Sequence, residues 1–359
     1  MTGTMRGLVL LPNGCVELRD HPRPRPDLGG VLVQVSTVGV CGSDLHMWHG
    51  TQSWPTAPPV VLGHEMAGVI AEIGQDVDGW QVGDRVVCET AARICGSCLL
   101  CRTGRYNLCP RREGYGATID GAFAEYVAAP SRILHRVPAE TGMDEAALTE
   151  PMSVAYNAMV ERAQLKPGDV VVIQGVGAIG MLAMQIARLR GASSVVMLGT
   201  ASDQHRLALA TEQGADAALD VTAESPAGLV RDLTAGLGAD LVVDATGTST
   251  ALRDALDLVR PAGQIVKVGW GPEPLGFSLD PLVQKAVTLH GSFSHTWQTW
   301  ERVLRLQAQG RLQASAVIGG SYPLEEWQTA FEEMRSGRNI KSVVTIDTPA
   351  GPGPGSQGC

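Results

Sequence analysis

The amino-acid sequence predicts an α/β protein in two parts, one β-rich and one built on a doubly wound parallel sheet. Three observations predict it. The first 150 residues read as short strands joined by Gly/Pro turns, and after Lys166 apolar strands alternate with helical segments. The 43 glycines recur at strand-to-helix turns. A chain of 359 residues is also too long for one small core.

In the first part, Val31–Val40 alternates like a half-buried strand. Met66–Ile73 and Asp84–Glu89 are further strands, the second opened by the turn Val82-Gly83-Asp84. Val170–Ile173 is an unbroken apolar strand of the kind buried in parallel sheets. Helical Met181–Arg190, strand Val195–Leu198, helical Arg206–Gln213 and strands Ala217–Asp220 and Asp240–Asp244 follow. Helical Thr250–Val259 and strand Gln264–Val268 complete the alternation. Beyond Trp297 come a helix, Trp300–Gln309, and mixed segments including Pro323–Arg335. The tail Pro349–Cys359 cannot bury a core and is expected to be disordered, with no role for Cys359.

Hydrophobic residues make up 44% and charged residues 18%, a soluble globular balance. With 28 Lys and Arg against 37 Asp and Glu the net charge is −9, which repels a phosphate backbone, so no nucleic-acid partner is expected. The run Leu8–Leu11 is too short for a secretory signal. The longest apolar tract, Val170–Leu189, is interrupted by Gln174, Gly175, Gly177, Gly180, Gln185 and Arg188. It reads as strand, turn and helix rather than a membrane span. A cytoplasmic protein without membrane attachment is expected.

Of eight cysteines, four crowd into one segment with the pattern Cys95-x2-Cys98-x2-Cys101-x7-Cys109. Two-residue gaps let neighbouring thiolates converge on one ion, and the longer gap returns the fourth. Four thiolates close a tetrahedral site, which suits structural zinc and leaves no position for substrate. An iron–sulfur cluster is the alternative with the same ligands. Four unrelated buried cysteines would be unusual at this density.

A second set is dispersed. Cys41-Gly42-Ser43-Asp44-Leu45-His46 and Gly63-His64-Glu65 flank a Pro-rich loop, and Glu150-Pro151 adds a carboxylate. Cys41, His64 and an acidic residue would make a three-ligand zinc with one open position, as catalysis requires. Singly, each has a blander reading: a small buried cysteine, a satisfied core histidine, a surface or capping glutamate.

Strand Val170–Ile173 leads into Gly175-Val176-Gly177-Ala178-Ile179-Gly180 and a helix, the setting in which G-x-G-x-x-G binds a dinucleotide. Gly175 allows the turn, Gly177 lets backbone approach the pyrophosphate, and Gly180 lets helix pack on strand. The pyrophosphate would sit at the helix N-terminus, beside Ile179. An acid that reads the ribose hydroxyls of NAD is expected about 20 residues on. Here the next strand ends at Gly199-Thr200 and the acid is missing, with Asp203 slightly beyond. Thr200, Ser202 and Arg206 can instead accept a 2′-phosphate, or simply turn and cap the next helix.

On these motifs the chain resembles the zinc-containing medium-chain dehydrogenases, the family of alcohol, sorbitol and threonine dehydrogenases, over roughly residues 5–347. The resemblance implies a GroES-like catalytic domain from residues 1–152 and 296–347, with a Rossmann dinucleotide-binding domain, 153–295, inserted between them. Residues 348–359 form the tail. It implies two zinc ions per chain, one structural and one catalytic, with NAD as cofactor and NADP open. Cys41 and His64 would bind the catalytic zinc. Classical alcohol dehydrogenases have a second cysteine where this chain has Glu150. The sorbitol and threonine dehydrogenases have Glu there. Whether Glu65 or Glu150 touches the metal directly is left open. The resemblance also implies that Ser43 and His46 relay the alcohol proton to solvent, a step that suits a group titrating near neutral pH. The expected reaction is hydride transfer between a secondary alcohol, a polyol or similar vicinal hydroxy compound, and NAD(P), by a homodimer or homotetramer. L-threonine 3-dehydrogenase is the enzyme alternative. A zinc and dinucleotide binding protein without catalysis is the alternative of another class.

Overall fold

The computed structural model describes residues 3–347. The expected tail and Cys359 lie outside the described residues. One sheet is all-parallel, with six strands in the spatial order Ala217–Asp220, Ser194–Gly199, Val170–Gln174, Ala239–Asp244, Val259–Lys267 and Thr288–Gly291. Strand Val170–Gln174 is buried along its whole length, as its unbroken apolar run requires. It lies at the centre, and the strand order reverses beside it. Ligands of such sheets bind at that switch point, outside the strands' carboxyl ends. Helix Ala178–Leu189 follows from that end and buries its apolar face under the sheet.

The other large sheet has seven strands, most of them antiparallel. Its main path runs Ile318–Pro323, Lys341–Thr345, Gly30–Gly39, Glu65–Ile73, Arg85–Cys88 and Leu134–Arg136, and Tyr126–Pro130 also pairs with Gly30–Gly39. Two of these strands come from the C-terminal end, so the chain returns to the sheet it began. A small sheet of Val16–Pro22, Thr4–Leu10 and Val60–Val61 sits beside it. The boundary expected at residues 152/153 falls inside helix Thr149–Tyr156, a continuous helix rather than a loose linker. Leu148 and Met152 on that helical turn are fully buried in the core it shares with Ala178–Leu189.

The tract Val170–Leu189 is strand and helix as read. No described helix is long and apolar enough to cross a membrane. Among the elements that escaped the sequence reading are helix Ala227–Leu233, the edge strand Thr288–Gly291 and the return strand Lys341–Thr345. The first two are short and lack a strong period. The third carries a lysine that masks its apolar character.

Candidate active site

The four cysteines form one cluster. Their sulfurs all lie within 4.8 Å of one another, with Cys98 and Cys101 at 3.5 Å and Cys95 and Cys101 at 3.9 Å. Zinc–sulfur bonds of about 2.3 Å give tetrahedral edges of about 3.8 Å, so the cage fits zinc. Backbone N–H groups of Cys98, Cys101 and Arg111 point at Cys95, Cys98 and Cys109 sulfurs at 3.3–3.4 Å. The backbone at Cys98 and Ser97 pulls the Cys95 thiol down to about 5, while desolvation and the neighbouring Cys98 thiol push Cys101 up to about 12; a bound metal would favour the thiolate at all four. The lobe is anchored: Tyr106 donates to buried Glu89 at 2.7 Å and Asn107 to the Phe293 carbonyl at 2.9 Å.

The dispersed set converges as well. Cys41 follows strand Gly30–Gly39 by two residues and caps helix Gly42–Trp48, while His64 precedes and Glu65 opens the neighbouring strand. Antiparallel pairing of Gly39 with Glu65 brings the two ends together. Donor atoms of Cys41, His64 and Glu65 lie within 4.8 Å of one another. Asp44 is fully buried, accepts from the Cys41 N–H at 2.9 Å and stands 4.0 Å from His64 Nδ1. Burial opposes a charge on His64, but Cys41, Asp44 and Glu150 outweigh it and push the imidazole up to about 10. A pocket so rich in anionic donors is suited to a cation, and Cys, His and carboxylate are zinc donors.

Glu65 Oε2 is buried with no hydrogen-bond partner, as a ligand oxygen kept for a metal would be. Its Oε1 is held at 2.6 Å by Lys341, which also donates to the Val40 carbonyl at 2.7 Å. Burial opposes the Lys341 charge, but Glu65 and Cys41 outweigh it and hold the ammonium above its usual range.

Glu150 does not join that close set. Trp300 Nε1 donates to His295 Nδ1 at 2.6 Å, and an indole N–H can only donate. His295 therefore carries its proton on Nε2, 3.1 Å from Glu150 Oε1. Burial works against the Glu150 charge, but the bond from His295 prevails and the carboxyl is lowered. The roles of Asp44, Lys341, His295 and Trp300 at the site all escaped the sequence reading. Only Lys341 carried a signal: a lysine inside an apolar strand must be paired if buried.

At the dinucleotide turn, Gly175 has φ +100°, and a Cβ on Gly180 would collide with the Gly175 carbonyl. A Cβ on Gly177 would meet no protein atom within 4 Å, so the backbone there lies open to the groove. No side chain caps the following helix, whose first turn includes half-buried Ile179. The cleft of about 500 Å³ in front is lined by Gly177 and Ala178 on one wall and His46, His49 and Thr51 on the other. This arrangement fits a pyrophosphate. Asp203 is turned back onto Thr200, accepting from its N–H at 3.0 Å and its hydroxyl at 2.8 Å. Arg206 also lines the cleft, but its Nη2 donates to the Met334 and Asn339 carbonyls at 2.9 and 2.6 Å. Its guanidinium is thus partly committed to the return segment, which sequence spacing alone does not show.

Ser43 Oγ is buried without a partner near Cys41. His46 is exposed three residues on, its Nδ1 held by Thr51 Oγ1 at 2.8 Å. Trp54 stacks edgewise on Trp270 at 5.6 Å, bringing the two parts of the chain together beside His46.

Comparison with known proteins agrees with this architecture. Residues 27–139 match the alcohol dehydrogenase GroES-like domain, and residues 178–309 match the zinc-binding dehydrogenase family. A sorbitol dehydrogenase of Halalkalibacterium halodurans is 38% identical over 95% of this chain and 99% of its own. A D-arabitol-phosphate dehydrogenase of Enterococcus avium is 36% identical over 96% and 98%. The NADP complex of a candidate zinc-binding dehydrogenase from Sinorhizobium meliloti superposes with a TM-score of 0.86 at 28% identity, covering 96% of this chain and 99% of that one. The chain belongs to the zinc-containing medium-chain alcohol dehydrogenase family and is an oxidoreductase that works with zinc and a nicotinamide dinucleotide.

Proposed function

We propose that the protein oxidises a secondary hydroxyl of a polyol or similar vicinal hydroxy compound, and reduces the matching ketone. The observation that supports this most is the carboxylate character of the zinc centre. Cys41, His64 and Glu65 are the proposed direct ligands, and Glu150 acts from just outside, through water. Zinc bound there supplies Lewis acidity that favours loss of hydride to the nicotinamide. The chain's own groups do the rest. Glu150, oriented by His295, faces the reacting oxygen and accepts a hydrogen bond from a vicinal hydroxyl. Ser43 accepts the alcohol proton as it gives up its own hydroxyl proton along the relay, and exposed His46 delivers a proton to solvent. Cys95, Cys98, Cys101 and Cys109 hold the structural zinc.

Glu150→Gln is expected to lower kcat on sorbitol or xylitol by about 10- to 100-fold, the usual cost of altering a group around a metal, with a smaller change in KM. Steady-state kinetics at verified zinc content check this. An unchanged kcat, or better wild-type activity on ethanol than on any polyol or L-threonine, would count against the reading.

Gly175, Gly177, Ile179 and Gly180 form the proposed pyrophosphate site, with Thr200 and Arg206 at the adenine-ribose end. NAD is the proposed cofactor, with NADP accepted because no carboxylate is free to repel a 2′-phosphate. Arg206→Ala loosens the return segment and should lower kcat/KM with both cofactors. The NADP value should fall about 10-fold further, as for a lost charge-assisted hydrogen bond. Equal losses would show that Arg206 does not read the 2′ position.

A homo-oligomeric, cytoplasmic enzyme is also proposed. Strand Thr288–Gly291 is an uncovered sheet edge near exposed Leu275, Leu279 and Val283, and light scattering checks the assembly. The seven described cysteines are unpaired, which suits a reducing compartment, and cell fractionation checks the location.

A further inference from the structure

Arg112 lies on the chain that leaves the four-cysteine lobe, three residues after Cys109. Its guanidinium lies 5.4 Å over the Phe293 ring. Phe293 packs on Trp270, which meets Trp54, so an aromatic wall runs from His46 to Arg112. Arg112 Nη2 donates to Thr90 Oγ1 at 2.8 Å. That oxygen is 3.5 Å from the His295 nitrogen that holds Glu150. The arginine is therefore two side chains away from a carboxylate of the zinc centre.

A guanidinium offers five N–H donors in one plane. The bond to Thr90 is the one hydrogen bond the Arg112 guanidinium donates among the described residues, and its buried Nε has no partner. The carboxylates whose field reaches it are Glu150 and Glu89, and both are engaged elsewhere. Glu150 binds His295 at 3.1 Å, and Glu89 binds Tyr106 at 2.7 Å and His135 at 3.2 Å. Arg132, by contrast, places its Nη2 on the Ala91 and Ala92 carbonyls at 2.9 and 2.8 Å. A half-buried cation with open donors is costly unless an acceptor meets it.

We propose that Arg112 binds an anionic group carried by the substrate, a phosphate ester or a carboxylate, while the reacting hydroxyl sits at the zinc centre. This rests on the polyol reading above and narrows it. The planar fork of arginine matches both anions, whereas a neutral hydroxyl leaves the charge unanswered. The Phe293, Trp270 and Trp54 rings span the interval between Arg112 and His46.

Sorbitol, sorbitol 6-phosphate and L-gulonate are six-carbon chains that differ only in the group at C6, and they separate the possibilities. With zinc-loaded wild-type enzyme and NAD, one of the two anionic compounds should exceed sorbitol in kcat/KM by about 10- to 100-fold. Which one does so tells phosphate from carboxylate. Arg112→Met should bring the ratio close to one, and Arg112→Lys should retain part of it. Calorimetric binding of the preferred anion to the same proteins gives a readout independent of turnover. A wild-type ratio near one, or a ratio that Arg112→Met leaves unchanged, overturns the proposal. If no compound is oxidised but an anionic one binds wild type at least about 10-fold tighter than Arg112→Met, the polyol reading fails and the anion site stands. If no compound is oxidised and neither anion shows that difference, both fail. Should Arg112→Met not fold, the wild-type ratio and the Arg112→Lys protein decide.

Discussion

Cys41→Ser protein is expected to fold, to hold one zinc ion where the wild type holds two, and to lose at least ~10³-fold in turnover. That loss corresponds to about 4 kcal/mol of transition-state stabilisation, within what a Lewis-acid metal supplies. Folding should survive because Cys41 is only partly buried and the core strand before it is paired on both sides. His64→Ala should behave alike. Cys98→Ser removes the other ion, and its effect is of another kind. The four-cysteine lobe pins Glu89 through Tyr106 and Phe293 through Asn107, so loosening it reaches the aromatic wall. A fall in melting temperature of roughly 5 °C or more is expected, equivalent to about 2 kcal/mol, with activity reduced rather than abolished. Elemental analysis alongside thermal unfolding separates the two sites. Fewer than two ions in fully active wild-type protein would contradict the whole assignment.

The second large effect is expected at Lys341. Lys341→Met keeps the length of the side chain and removes its charge. Glu65 is then left fully buried, with Oε2 already lacking a hydrogen bond and Oε1 deprived of its 2.6 Å partner. Breaking one side of a buried ion pair costs about 3–5 kcal/mol. The loss should be largest in zinc-free protein, because a bound metal gives Glu65 a second cation to face. Denaturant unfolding with and without zinc measures it. Adding Glu65→Gln should recover part of the loss in the zinc-free state. A cost below about 1 kcal/mol for Lys341→Met would show that the pair is not holding a charged glutamate there.

The contrast between these residues shows what a sequence makes legible. The cysteine lobe and the glycine turn are local: their ligands or contacts lie within a few residues, so spacing carries the geometry. Val170–Gln174 was readable for the same reason, being an unbroken apolar run. Lys341 answers Glu65 from 276 residues away, and neither position marks the other. His295 is legible only through Trp300, because its role depends on which ring nitrogen the indole occupies. Glu65 and Glu150 looked equivalent as acids beside zinc-type motifs. They differ because one opens a strand paired with the strand leading to Cys41, while the other starts a helix under the neighbouring sheet. Arg112 is the second of two arginines after Cys109-Pro110, and its sequence setting carries no signal. Only the prior engagement of the carboxylates around it sets it apart.

The return of strand Lys341–Thr345 to the first sheet also bears on how the enzyme is made. Val40, just before the cysteine at the zinc centre, is separated from Lys341 by 301 residues of chain. At ~5–20 residues per second, a ribosome needs roughly 15–60 s to cover that interval. All six strands of the parallel sheet are synthesised within it, so that sheet can assemble on the nascent chain. The zinc centre must wait, with Glu65 lacking its lysine until translation is almost complete. During that wait a metal ion can stand in for Lys341 as the cation facing Glu65, which makes early metal capture a natural companion of folding rather than a step that follows it.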